Sequence, residues 1–186
     1  QGAGFSQVSL QAYPRESQER HITWVITEGP RARIRSMDFD GNVAFTDAEL
    51  RELFLQGVPR MLSYGVYVQS EVSKASEFLI QKLKAKGYLS ARLMSQQAAW
   101  NKDHTQADLT IYLSEGEQTR VGDIHVFESK NGPAPDSESL NRILGVRSGE
   151  PFNIFAFNEG IEGLKSWYRN RGYLEVAIQR EGSSGD

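Results

Sequence analysis

Few residues in this sequence could carry out acid–base or metal chemistry, and they do not cluster. Its three histidines, His21, His104 and His125, form no His-x-x-x-His pair, so no spacing typical of a zinc site is present. Asp103 beside His104 predicts a polar loop. The chain has no cysteine and no Gly-x-Ser-x-Gly, Walker or Gly-x-Gly-x-x-Gly motif. We therefore expect a protein that is not an enzyme and that holds no metal or cofactor.

An unpaired strand edge is the remaining feature that could bind another molecule. Backbone N–H and C=O groups along such an edge can hydrogen-bond to any extended chain, whatever its sequence. The best candidate is the alternating run after Gly87-Tyr88, which contains no proline and a single charge. Its residues are Leu89, Ser90, Ala91, Arg92, Leu93, Met94 and Ser95. We expect Ser90, Arg92 and Met94 to point outward, with a solvated edge or packing on a neighbouring unit as the alternative.

Two further side chains are candidates for contact with a partner. Phe78 and Ile80 fall off the apolar stripe of their predicted helix, near a groove beside Leu93, although core packing is the commoner role of such residues. Trp100 is expected in a polar loop between two strands, Gln96 to Gln106, where an indole could serve as a contact residue.

Composition excludes several classes of protein. Of 186 residues, 39% are hydrophobic and 24% are charged, a balance typical of folded globular chains. The net charge of -3 disfavours nucleic acid as a partner, because a polyanion-binding protein needs a basic surface. No apolar run approaches the roughly 20 residues that a membrane-spanning helix needs.

The elements that would position these residues repeat along the chain. Gly87-Tyr88 and Gly172-Tyr173 are separated by 85 residues. The run Ile22–Gly29 matches Leu109–Gly116 position by position at a spacing of 87 residues. Because separate segments keep nearly one period in one order, the sequence predicts tandem copies of one folding unit.

Each unit is predicted to contain strands and two helices. Strict alternation of apolar residues in Val8–Ala12, Ile22–Ile26 and Leu109–Leu113 predicts half-buried strands. A capping box at Thr46 and Glu49 predicts the start of one helix. The stripe of the second helix consists of Val72, Ala75, Leu79 and Leu83.

The repeated glycines have a structural role in this prediction. Gly87 and Gly172 follow the second helix of their units, where a residue commonly adopts the left-handed conformation that glycine enters without a Cβ penalty. Tyr88 and Tyr173 are expected to fold back on the last apolar turn of that helix.

The predicted fold class is α+β, with tandem β-α-α-β-β modules that each form a three-stranded mixed sheet covered by two helices. Residues 1–30 would be the C-terminal hairpin of a truncated module, and residues 31–117 a complete one. Residues 118–186 would form a module that lacks its last strand.

This arrangement resembles the POTRA domains of the BamA/TamA-type outer-membrane protein assembly factor family. The resemblance rests on the element order, on Phe39-Asp40-Gly41-Asn42 followed by Ala44-Phe45-Thr46, on Gly87-Tyr88, and on the closing Glu115-Gly116. The third unit departs from the pattern at 130–133, where Lys-Asn-Gly-Pro replaces Asp-Gly-Asn.

The resemblance implies a periplasmic arm attached to the outer membrane through a C-terminal β-barrel that this chain lacks. Its implied partners are unfolded outer-membrane proteins, accessory assembly subunits and the membrane barrel of the same protein, with no small-molecule substrate. Clients would bind by β-augmentation, adding a strand to the sheet edge.

Three other interpretations stay open at the level of sequence. The POTRA region of a two-partner secretion transporter would share the same modules. A cell-division or secretion protein carries one such module on a membrane anchor, and tandem units count against it. A KH-like RNA-binding domain would need a Gly-x-x-Gly loop and a basic groove, whereas the loop here reads Gln56-Gly57-Val58-Pro59-Arg60-Met61.

Overall fold

The computed structural model describes residues 7–12, 22–27, 32–58, 65–124 and 133–178, the first two segments as backbone only. Its strands are β1 Gln7–Ala12, β2 Ile22–Thr27, β3 Arg33–Asp40, β4 Arg92–Trp100 and β5 Gln106–Ser114. Its helices are α1 Asp47–Gln56, α2 Gln69–Ala85, α3 Ser137–Leu144 and α4 Ile154–Arg169.

The N-terminal strands form an antiparallel pair. Leu10 lies opposite Trp24 in the backbone register. The flanking predicted apolar positions are matched in the same way, Val8 with Ile26 and Ala12 with Ile22. The alternation that predicted two strands is therefore also in register between them.

A three-stranded sheet forms the centre of the complete module, in the order β3-β5-β4. β3 runs parallel to β5, and β4 runs antiparallel to β5. The predicted mixed sheet is thus confirmed, and the last strand along the sequence is the central strand in space.

Helices α1 and α2 cover one face of this sheet. The predicted stripe of α2, Val72, Ala75, Leu79 and Leu83, is fully buried. It packs with Leu50 and Phe54 of α1 and with alternate residues of the strands, among them Phe39 and Ile111. Burial of this contiguous apolar cluster is the main source of the module's stability.

The start of α1 and the end of α2 are formed as the sequence predicts. At α1 the Thr46 hydroxyl accepts the Glu49 N–H at 3.3 Å, and the Thr46 N–H donates to the Glu49 carboxylate at 2.8 Å. After α2, Gly87 has φ +94°, and the Tyr88 N–H donates to the Leu83 C=O at 3.1 Å. Tyr88 then packs edge-on against Phe45, with ring centroids 5.2 Å apart.

A buried carboxylate links the end of β5 to the loop between β3 and α1. Glu115 is 3% exposed and accepts the N–H groups of Val43, Ala44 and Phe45 at 3.0, 2.7 and 3.3 Å. In the same loop Gly41 has φ +90°, and a Cβ there would meet the Leu113 carbonyl oxygen at 2.0 Å. Glu115 therefore fixes the loop before α1 to the end of β5, the last strand of the module.

The unit that follows the complete module, residues 118–186, is called the second module from here on. Its described residues, 118–124 and 133–178, contain two helices. α3 and α4 enclose a core of Leu140, Leu144, Val146, Ile161 and Leu164. They cross closely at Gly160, where a Cβ would lie 2.4 Å from the Leu144 Cα.

The strands expected on either side of these helices are not formed in the described residues. Residues 121–124 and 173–178 are irregular, and Arg120 makes a single bridge to Pro151. In the complete module the counterparts, β3 and β4, each form a ladder with β5.

Removing the Glu115 carboxylate should loosen the loop before α1. Glu115→Ala leaves three N–H groups without their acceptor, and we expect about 2 kcal/mol less stability. Hydrogen exchange at Val43, Ala44 and Phe45, together with urea unfolding, measures both effects. Glu117→Ala, at an exposed position, is the matched control, and equal losses in the two variants would contradict the assigned role.

The start of α1 should weaken in acid. The backbone N–H of Thr46, and next its hydroxyl, hold the pKa of the Glu49 carboxyl below its ordinary value. The carboxylate's contribution is therefore complete above the ordinary pKa and is lost as pH falls through the lowered one. Exchange protection of the Thr46 amide should fall in that window. Glu49→Gln should abolish the pH dependence, and a variant that keeps it would rule the pairing out as its cause.

Candidate strand-pairing edge

The three-stranded sheet has two outer edges, and the protein covers one of them itself. Along the start of β3, segment 65–67 forms two backbone hydrogen bonds of 2.7 and 2.9 Å with residues 32–34. Further along, the Arg51 guanidinium donates to the Met37 carbonyl. These contacts satisfy backbone groups that an added strand would need, so the β3 edge is covered from residue 32 to Met37.

The β4 edge is open over the part of the chain that the structure describes, where the β4 backbone pairs only with β5. Just beyond β4, the Asn101 N–H donates to the Gln106 C=O at 2.9 Å, which marks these two residues as a hydrogen-bonded pair. Such pairs alternate with pairs whose groups point away from each other. The N–H and C=O groups of Gln96, Ala98 and Trp100 therefore point toward the open edge.

A β-bulge divides this edge. Leu93 pairs with Leu113 and Ser95 pairs with Tyr112, so Met94 is the extra residue. Met94 is 58% exposed. Because a bulge bends and twists its strand, the regular stretch available to another chain runs from Ser95 to Trp100.

The predicted edge segment is therefore displaced from the observed one. Leu89 and Ser90 lie in a turn, and Ala91 is 2% exposed with its N–H bonded to the Tyr88 C=O at 3.0 Å. Their assignment to the edge strand is wrong, because the chain needs a tight turn after Gly87 before it can enter the sheet. Arg92, Leu93, Met94 and Ser95 do lie on β4, and their role in binding stays a prediction.

A shallow groove follows β4 on its helical side. It has a volume of about 390 Å³ and lies between α2 and the start of the strand. Its walls are Glu77, Ile80, Gln81, Lys84, Ala91, Arg92 and Leu93. The groove thus has an apolar floor and charges of both signs along its rim.

Phe78 lies outside this groove. A Cβ added at Gly57 would lie 2.6 Å from the Phe78 ring, so the ring covers the end of α1. The Lys82 ammonium lies 4.9 Å from the ring centroid. Proximity of Phe78 to the groove was predicted wrongly, whereas Ile80 takes part in the core and in the groove wall.

Trp100 is the last residue of β4. The sequence had suggested a loop position for it, which is wrong. It lies opposite Ala107 in the ladder, and the connecting loop shrinks to residues 101–105. Its indole packs edge-on against Tyr67, with centroids 4.9 Å apart. Burial raises the pKa of the Tyr67 hydroxyl. Sequence reasoning missed Tyr67, although it occupies the same place in the repeat as Phe152.

An ion pair marks the sheet face on the β3 side. Arg35 and Ser36 both donate to the Asp108 carboxylate. The hydrogen bond from Arg35, followed by the one from Ser36, holds the pKa of Asp108 below its ordinary value. Arg35 is also the extra residue of a bulge in β3, and Asp108 lies on the central strand β5.

Within the described ranges there is no group of three or more His, Asp or Glu side chains that could hold a metal ion. None of the helices in those ranges is long and apolar enough to cross a membrane.

Comparison with known proteins places these features in a family. The model of the POTRA family, described as a surface antigen variable number repeat, matches residues 32–116 and again 119–185. Outer membrane protein assembly factor BamA of Neorickettsia risticii (strain Illinois) is 23% identical over 178 residues, covering 94% of this chain and 24% of that protein. BamA of Neisseria meningitidis serogroup B (strain ATCC BAA-335 / MC58) is 23% identical over 164 residues, covering 85% and 20%.

The chain thus spans about a quarter or less of these relatives' length. Among solved structures, Haemophilus influenzae BamA POTRA3-5 is 17% identical with a TM-score of 0.45, covering 97% of this chain and 68% of that one. The two family-model matches together span most of the sequence. This chain belongs to the POTRA family.

Proposed function

We propose that this chain is part of the periplasmic arm of an outer-membrane protein assembly factor, and that it binds unfolded outer-membrane proteins by β-augmentation on β4. Its division at 1–30, 31–117 and 118–186 is part of the proposal. Both curated relatives described above are named outer membrane protein assembly factors. Membership of the POTRA family argues against the KH-like alternative.

The difference between the two sheet edges carries this proposal. The β3 edge is covered by segment 65–67 and by Arg51. The β4 edge presents the backbone groups of Gln96, Ala98 and Trp100, with no cover from the described residues. An extended client would therefore add next to β4, where main-chain hydrogen bonds supply affinity without reading sequence.

The groove beside β4 would give this binding a preference for alternating sequences. Side chains of an added strand point alternately to the two faces of the sheet. Where a client strand extends past the bulge at Met94, its side chains on the helical side would reach the apolar residues Ile80 and Leu93 of the groove. Strands of outer-membrane barrels alternate apolar and polar residues, which suits such a one-sided groove. Accessory assembly subunits could use the same edge in place of a client.

Proline at Ala98 should block client binding and leave the sheet intact. The Ala98 N–H points outward, so its loss costs no bond to β5, while the proline ring obstructs an incoming strand. We expect at least about a tenfold loss of affinity, since a lost hydrogen bond and a clash together remove ~1.4 kcal/mol or more. The measurement is titration with a fluorescent peptide of alternating apolar and polar residues.

Two variants control this experiment. Ala98→Val keeps the N–H and adds comparable bulk, so it should bind the peptide like the unaltered protein. Ala99→Pro removes an N–H that faces β5, so it should destabilise the module itself. Equal binding by the Ala98 proline and valine variants would show that peptides bind away from this edge. Proline at Ala91 is uninformative, because that N–H is already bonded within the turn.

A further inference from the structure

The end of α2 is hydrogen-bonded to the first residues of the second module. The Gly87 C=O accepts the Thr119 N–H at 2.8 Å, and the Thr119 C=O accepts the Phe152 N–H at 2.9 Å. A side-chain bond joins the same segments, from the Gln118 amide to the Lys86 carbonyl at 3.1 Å. Thr119 thus ties the helix end of one module to the start of α4 in the next.

Residues 149 and 150 of the second module also form backbone hydrogen bonds with Val121. The Val121 N–H donates to the Glu150 C=O at 2.9 Å, and the Gly149 N–H donates to the Val121 C=O at 2.7 Å. The Arg120 guanidinium donates to the Gly149 carbonyl at 2.9 Å. Segment 118–121 is therefore held on both sides and does not behave as a free tether.

Close approach at Gly87 leaves no room for a side chain. A Cβ at this position would lie 2.6 Å from the Thr119 carbonyl oxygen and 3.2 Å from the Phe152 nitrogen. Both are backbone atoms, so neither can rotate away. Gly87 is buried, which agrees with a position enclosed between two modules.

Gly172 provides an internal comparison. It has the same place after its helix and nearly the same backbone, with φ +92° against +94° at Gly87. A Cβ at Gly172 would meet no heavy atom of the described residues within 4 Å. Ending a helix therefore explains the conformation of both glycines, but it does not explain the crowding at Gly87.

We propose that Gly87 and Thr119 form an inter-module joint that fixes the orientation of the second module relative to the first. The joint consists mainly of backbone hydrogen bonds, and it requires glycine at 87 for space as well as for its positive φ. The two modules then move as one body, and the open β4 edge keeps a constant direction relative to α4.

Spin labelling can test the joint directly, because the chain has no cysteine. The labels are attached to cysteines that replace the exposed residues Glu52 on α1 and Glu159 on α4. Double electron–electron resonance then gives the distribution of distances between the two labels. The unaltered joint should give a narrow distribution. Gly87→Ala should broaden it or shift its mean, whereas Gly172→Ala should leave it unchanged.

A second variant separates the joint from the helix end. Thr119→Pro removes the donor to Gly87 without changing Gly87 itself, and it should broaden the distribution while hydrogen exchange within α2 stays as before. A narrow, unshifted distribution in the proline variant would overturn the proposal, whatever the alanine variant does to folding. So would equal broadening by the two glycine variants, since Gly172 touches no part of the first module among the described residues.

Discussion

The complete module depends on one buried carboxylate at the point where its chain leaves the sheet. Glu115 follows the central strand and accepts three consecutive N–H groups of the loop that leads into α1. A buried carboxylate is tolerated only when such donors replace water. The interaction fixes where α1 begins, and thereby where Leu50 and Phe54 enter the core. Sheet, loop and helix are thus held in one arrangement by a residue that follows all three of them in the sequence.

Features that depend on local spacing could be predicted from the sequence. The stripe of α2, the capping box at Thr46 and the positive φ of Gly87 each follow from residues within a turn or two of each other. The beginning and the end of β4 could not be predicted in this way. Ala91 keeps the alternation of a strand, but it is buried because a turn packs it on the core.

Edge strands present a related difficulty. Gln96 and Gln97 look like loop residues because their strand has one neighbour and much of its surface in water. The open edge and its outward-facing groups become visible only once the order of strands is known. Likewise, the glycine period predicted two equivalent helix ends, whereas only three-dimensional contacts distinguish the enclosed Gly87 from the open Gly172.

Backbone pairing recurs wherever the modules meet or close. Segment 65–67 pairs with 32–34 in the first module, and 149–152 pairs with 119–121 in the second. Equivalent segments are thus paired in both repeats, one period apart. Since the cap precedes the second helix in each module, it belongs to the folding unit itself. The β4 edge receives no such cap from the described residues.

The central position of the final strand also dictates an order of assembly. A polypeptide that emerges with its N-terminus first exposes β3, α1, α2 and β4 before β5 exists. Neither outer strand can complete its ladder until the chain has emerged as far as Ser114, because each forms that ladder with β5. Such non-local pairing forms late, because the chain must lose the entropy of closing the intervening loop before the strands gain their hydrogen bonds. Until the nine residues of β5 have emerged, β3 and β4 therefore expose backbone groups that β5 pairs with in the folded module.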